Sequence, residues 1–291
     1  MICTISSGGL TAKIDSCGAE LKALSDHDGI EYLCPPERRN WDRSAPVLFP
    51  NTGAVKDGYA LIGGVAYPYV QHGFVKDAEF DIWEKTENSI TFLLRWSKES
   101  LLRCPYQFIL KISYTLVQQS LLVTADVTNE GETSISFSIG FHPGFSCPLI
   151  PNEDAQDYVL CFPTPMTADR VILDNALVSG IAAAYWDNLN SIPVRQGMFD
   201  GGSYTMINLS CRTIRMVSLR SGRYIELDLG DFPNLVLWAP KGKPITNICI
   251  EPWFGLPDKL DGDHRQDTKD YTISLCPKKT ASLAFRVSVG K

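Results

Sequence analysis

The chain has 291 residues, 44% of them hydrophobic, and a formal net charge of −6. That length buries a sizeable core without disulfide or metal staples. The acidic balance, with basic residues only in isolated pairs such as Arg38-Arg39 and Lys278-Lys279, argues against nucleic-acid binding. Nine cysteines lie scattered with no C-x-x-C spacing, which argues against a structural zinc site. Cys249 and Cys276 fall within apolar runs and read as small hydrophobes. No secretory leader pattern and no apolar run of membrane length is present, so the expectation is a reduced, cytoplasmic, soluble protein.

In chain order, Trp41 to Pro50 comes first, mixing Arg43 with aromatics and prolines. A planar guanidinium beside aromatic faces suits sugar hydroxyls or phosphate oxygens; the alternative is an ordinary surface arginine in a rigid loop. Asp57-Gly58 and Gly63-Gly64 read as hairpin turns. His72 follows an aromatic stretch and precedes Gly73, and Lys76-Asp77 reads as a surface ion pair. Ile90, Phe92, Leu94 and Trp96 alternate with other residues as in a strand, and residues 97 to 103 have room for one helical turn. Phe108, Leu110, Ile112, Tyr114 and Leu116 alternate next. A turn at Gln118-Gln119-Ser120 leads to Leu121, Val123, Ala125 and Val127, and Asn129-Glu130-Gly131 forms a further turn. Consecutive alternating strands joined by short turns predict an antiparallel meander.

The next strand, from Ile135 to His142, carries Ile135, Phe137, Ile139 and Phe141 on one face and Ser136, Ser138, Gly140 and His142 on the other. The first face reads as core. The second reads either as a lined polar surface ending in an imidazole or as an ordinary solvent face. Segment 168 to 184, with Gly180 and an alanine triplet, reads as mixed loop and short turn. Strand patterns return at Ile225–Leu229, at Leu235–Trp238 and from Leu283 to Val289. Between the last two, Ile248 to Asp258 forms an apolar strand in which Asn247, Cys249 and Glu251 share a face. Pro252, Gly255 and Pro257 then break it. With no linker and no fixed repeat, the simplest architecture is one large antiparallel β-sandwich over residues 1–291, with a wide concave face. Trp253, directly after Glu251-Pro252, is the tryptophan best placed to stack on a ligand; Trp41, Trp83 and Trp238 are others.

Several chemistries fit these residues. Two histidines and a glutamate could hold a metal, but H-E-x-x-H spacing is absent. No G-x-S-x-G elbow is present for serine hydrolysis. Glycoside hydrolysis needs a second carboxylate, for which Asp258 and Asp200 are candidates. A histidine acid with a glutamate base needs the fewest assumptions.

A set of segments spread over most of the chain resembles the aldose 1-epimerase (galactose mutarotase-like) family, and within it the LacX-like branch. The segments are Gly18-Ala19-Glu20-Leu21, Trp41 through Pro50, Gln71-His72-Gly73-Phe74, Gly140-Phe141-His142-Pro143, Phe232-Pro233 through Trp238, and Glu251 through Gly255 with Asp258. The resemblance implies an all-β supersandwich with a sugar on its concave face. It implies interconversion of the α and β anomers of a free or phosphorylated aldose, with no metal or other cofactor. By the same resemblance Glu251 is the general base, His142 the general acid and His72 a hydrogen-bond donor to the sugar. Arg43 contacts the sugar or a phosphate, and Asp200 is the candidate for the aspartate that holds sugar hydroxyls. Where the family commonly has Phe-Ala-Arg, this chain has Phe74-Val75-Lys76, which loses bidentate geometry. The other readings are a sugar-binding module without turnover and a glycan hydrolase or lyase. The expected partner is a small sugar, with no nucleic acid or membrane, on a monomer or homodimer.

Overall fold

The computed structural model describes residues 1–291. Alternation along the chain becomes alternation of burial. Phe108, Leu110, Ile112, Tyr114 and Leu116 are buried along the strand Phe108–Val117, while the residues between them are half-buried. The strands Ser120–Asn129 and Thr280–Gly290 repeat the pattern on either side of their own ladder. Such strands have one face on the core, the condition under which a period of two is visible in sequence.

The strands join a 15-stranded sheet. Its ladders are antiparallel throughout. At one end Val47–Leu48, Ile139–Phe141, Asn247–Phe254 and Asn234–Trp238 lie side by side; at the other, Asp81–Lys85 is the edge. A three-stranded sheet, Ile2–Ser7, Leu10–Asp15 and Glu20–Ser25, supplies further apolar side chains. The main apolar cluster draws on residues from Cys3 to Val289. The fold is therefore the all-β, antiparallel architecture expected. The short helix Ser100–Arg103 falls within the segment expected to hold one turn. Gly63-Gly64 closes the hairpin of Tyr59–Ile62 and Val65–Pro68.

Four local expectations are corrected. Residues 168–184 belong to a long hairpin of Tyr158–Asp174 and Leu177–Pro193, turning at Asn175-Ala176, both with positive φ. In the second strand only Val178 and Trp186 are buried, and the first is repeatedly bulged, so neither shows a clean period of two. The Ile135–His142 segment splits at Ser138: Ile135–Phe137 pairs with Ile273–Leu275, and Ile139–Phe141 enters the large sheet. Both of its faces are buried, so its polar face is no solvent surface. Asp57-Gly58 lies in a 3₁₀ turn leading into a strand rather than in a hairpin turn. Cys276 is exposed, just beyond the short strand Ile273–Leu275, and is not a core residue.

Candidate active site

The strand Asn247–Phe254 is the backbone of the site. It pairs with Ile139–Phe141 through Gly140↔Trp253 and with Asn234–Trp238 through Val236↔Glu251. Gly140 is required at its position, because a Cβ there would lie 2.8 Å from the Trp253 ring. His142 follows directly, held by its N–H donating to the Pro46 carbonyl at 3.1 Å. Two adjacent strands thus carry the two side chains that meet, with His142 Nε2 3.3 Å from Glu251 Oε2. The pair is misaligned for a hydrogen bond, and neither carboxylate oxygen of Glu251 receives one from elsewhere. Glu251 is 1% exposed and His142 7%. The His142 ring stacks on Trp41 with centroids 4.7 Å apart and meets the edges of Trp238 and His72.

His72 comes from a tight turn. Its φ of 65° and the Gly73 φ of 69° reverse the chain. Gly73 packs against the Phe49 carbonyl so closely that a Cβ would lie 1.9 Å from that oxygen, so no other residue fits. His72 and Gly53 clasp each other: the His72 N–H donates to the Gly53 carbonyl, and the Gly53 N–H donates to His72 Nδ1, both at 3.1 Å. The neutral ring therefore carries its proton on Nε2, which lies 3.2 Å from the side-chain nitrogen of Gln71.

All six residues singled out from the sequence, Arg43, His72, His142, Asp200, Glu251 and Trp253, line one cavity of about 910 Å³. Arg43 is less free than expected. It forms an ion pair with Asp77, donates to the Lys76 carbonyl at 3.1 Å and lies 3.8 Å from Glu20. Buried Glu20 accepts the N–H groups of Ser44 and Ala45, which anchors the Arg43–Pro46 segment under His142. Lys76, expected to pair with Asp77 on the surface, reaches it only at 3.8 Å and donates to the carbonyls of Gln71 and Gly73. Asp200 accepts the Gly242 N–H through Oδ1 at 2.9 Å. Trp253 is buried, and its ring edge meets His72. Asp258 lies outside this cavity. It pairs with Lys269 at 2.6 Å and accepts the Lys56 N–H, in a smaller cavity rich in charged residues. Trp83 is exposed on the edge strand, far from any role as a platform in this cavity.

Arg170 was not found from the sequence. It lines the cavity, donates to Tyr185 Oη and to the Ser203 carbonyl, and lies over the Tyr185 and Tyr204 rings. It sits in the segment read as loop, where no period placed it on a face. Lys241 also lines the wall.

Desolvation dominates the electrostatics. Burial pushes the Glu251 carboxyl well above the usual carboxylate range. Burial, with nearby His72, pushes the His142 imidazole well below its usual value. Burial and the Lys76 charge push His72 down to about 3. The arrangement therefore offers a dry carboxyl–imidazole pair at the floor of a cavity whose wall carries Arg43, Lys76, Arg170 and Lys241.

The sequence profile of the aldose 1-epimerase family matches residues 1–162. The plasmid and chromosomal LacX proteins of Lactococcus lactis subsp. lactis are each 31% identical over 289 residues, covering 96% of both chains. This chain belongs to the aldose 1-epimerase family. A galactose mutarotase-like protein from Lactobacillus casei has the same fold, with a TM-score of 0.92 and 30% identity over the whole of both chains. A galactose mutarotase related enzyme from Lactobacillus acidophilus superposes with a TM-score of 0.91 at 25% identity, covering 100% of this chain and 98% of that one. No helix is long and apolar enough to cross a membrane.

Proposed function

We propose that the protein is an aldose 1-epimerase that interconverts the α and β anomers of a free or phosphorylated aldose in the cavity above Glu251 and His142. The observation that carries this reading is the 3.3 Å approach of His142 Nε2 to a Glu251 carboxylate that has no hydrogen-bond donor. Anomer exchange moves one proton from the anomeric hydroxyl to a base and one from an acid to the ring oxygen. The C1–O5 bond breaks, the aldehyde forms, and rotation about C1–C2 presents its other face for reclosure. Each proton returns on closure, so no redox step enters.

The pair meets this need with one shared proton. Whether that proton lies on His142 beside a carboxylate or on Glu251 beside a neutral imidazole, one group gives and the other takes. Burial favours the second arrangement, and hydrogen bonds from the sugar hydroxyls favour the first. In that form Glu251 takes the anomeric proton and His142 protonates the ring oxygen. His72, with its proton on Nε2, donates to a hydroxyl; Asp200 accepts through the oxygen not held by Gly242; Trp253 supports the ring face. Arg43, already paired with Asp77, contributes positive potential at the wall together with Arg170 and Lys241. Asp258 is held by Lys269, which leaves a glycan hydrolase only Asp200 as its second carboxylate in this cavity.

The test is α/β exchange measured by NMR with glucose, galactose, mannose and glucose-6-phosphate. Acceleration by the wild type that disappears in Glu251→Gln supports the reading. Line broadening without faster exchange points to a binding module. Exchange unchanged in both Glu251→Gln and His142→Asn removes the pair from the mechanism.

A further inference from the structure

The face that carries Glu251 carries a second donor that the proposed reaction does not use. Cys249 lies two residues before Glu251 in the same strand, so both side chains leave the same face. It is fully buried, and its thiol is free. One donor atom each from His142, Cys249 and Glu251 lies within 4.8 Å of the other two. An imidazole nitrogen, a thiolate sulfur and a carboxylate oxygen together are a donor set that suits zinc and its soft neighbours. Two further observations point to a ligand. Both Glu251 oxygens are buried without a hydrogen-bond partner. The Asn247 side-chain amide, itself fully buried, points a donor at the Cys249 sulfur at 3.7 Å, the kind of outer contact that supports a metal-bound thiolate.

We propose that His142, Cys249 and Glu251 form a binding site for a zinc-class divalent cation, entered through the sugar cavity, in which the metal takes the place of the shared proton. Ligand atoms around a tetrahedral zinc are about 3.5 Å apart. The His142–Glu251 contact, at 3.3 Å, already has that spacing. The thiol has to close the remaining gap from within 4.8 Å, and a side-chain rotation on the face it shares with Glu251 is the motion this asks of it. His142 and Glu251 line the cavity, so the fourth position opens towards it and takes water. Binding releases two protons to solvent, one from the thiol and one from the histidine–glutamate pair. The two negative charges created on Cys249 and Glu251 balance the cation. The binding site rests on the geometry alone. Its consequence, inhibition by occupation of the groups that move protons, rests on the proposed mutarotase reading. Cys249 takes no part in proton transfer, so removing it separates the two.

The experiment titrates the metal-free protein with Co²⁺, then with Zn²⁺ in competition, for the wild type, Cys249→Ala and Cys249→Ser. Two substitutions are used so that a folding defect in one leaves the other. The expected result is a thiolate-to-cobalt charge-transfer band with intense tetrahedral d–d bands in the wild type only. Zinc affinity should fall in both variants by at least the roughly 100-fold that marks the upper end of losing an outer-shell partner. Anomer exchange by the wild type should stop at stoichiometric zinc and return with a chelator, whereas both variants should keep their basal exchange and resist zinc. Absence of the thiolate band in the wild type, or equal zinc affinity in the variants, overturns the site whether or not the protein accelerates exchange. A band lost in the variants from a protein that exchanges no sugar establishes the site and refutes the function reading alone.

Discussion

Glu251→Gln separates the two things a buried carboxyl does. Glutamine keeps the shape and loses the proton, so turnover should fall by roughly 10²–10⁴-fold, the usual contribution of a positioned acid–base group. Stability should move the other way. Burial holds the folded-state Glu251 carboxyl well above its ordinary value. As pH rises past about 4.3 the unfolded chain releases its proton first, so the folded state binds more protons and loses stability with every further step. The stabilising contribution is thus complete below the ordinary carboxylate value and lost as pH approaches the folded value. Each pH unit inside that window costs the wild type about 1.4 kcal/mol, and glutamine has no such slope. The variant should therefore gain on the wild type in urea or thermal melts as pH rises above the ordinary carboxylate value, while remaining inactive in NMR exchange. If Glu251→Gln is instead less stable at pH 7 by about 3–5 kcal/mol, the folded pair is a true salt bridge and burial does not set its proton. Retained turnover would remove Glu251 from the chemistry.

His142→Asn should lose turnover by a comparable roughly 10²–10⁴-fold in the same assay, and the double variant should lose little more, because the two act as one unit. His72, pushed down to about 3, should cost the folded protein stability as pH falls from about 6.5 towards that value, since the unfolded chain protonates first. His72→Asn keeps an acceptor for the Gly53 N–H and should lessen that acid sensitivity by roughly 1–2 kcal/mol at pH 4.5, discounted for its partial exposure; melts of equal acid sensitivity in both proteins would refute this. Gly73→Ala should cost more than the roughly 1–2 kcal/mol of a left-handed residue, because its Cβ meets the Phe49 carbonyl; a urea midpoint unchanged from wild type would mean that the turn relaxes freely.

How far the sequence could be read follows from what each segment touches. The strands Phe108–Val117, Ser120–Asn129 and Thr280–Gly290 were legible because each lays one face on the core. The hairpin strand Leu177–Pro193 was not, because it is largely exposed and pairs with a bulged partner. Misreading that hairpin also hid Arg170, a wall of the cavity. Period two placed His142 at the end of one polar face and Glu251 on another. That the two faces are the same face depends on a strand pairing across more than a hundred residues, which no local pattern encodes; the resemblance to the family supplied it. Arg43 shows the converse. Its place beside the cavity was readable, but its ion pair with Asp77 was not, because the two meet only after the chain folds.

Cys249 carries the same lesson furthest. An apolar strand made it read as a small hydrophobe, and it is indeed fully buried. Yet a strand buried on both faces gives no sign of which buried face is apolar and which is polar. The side of Asn247–Phe254 that holds Cys249 and Glu251 is shielded by Trp41, Trp238 and Trp253, so burial there reports shelter beneath aromatic rings rather than an apolar core. Shelter of that kind shifts the Glu251 carboxyl and the His142 imidazole in opposite directions, and it leaves a thiol close to both. The same dry floor that would let one proton pass between acid and base is therefore also open to a soft cation.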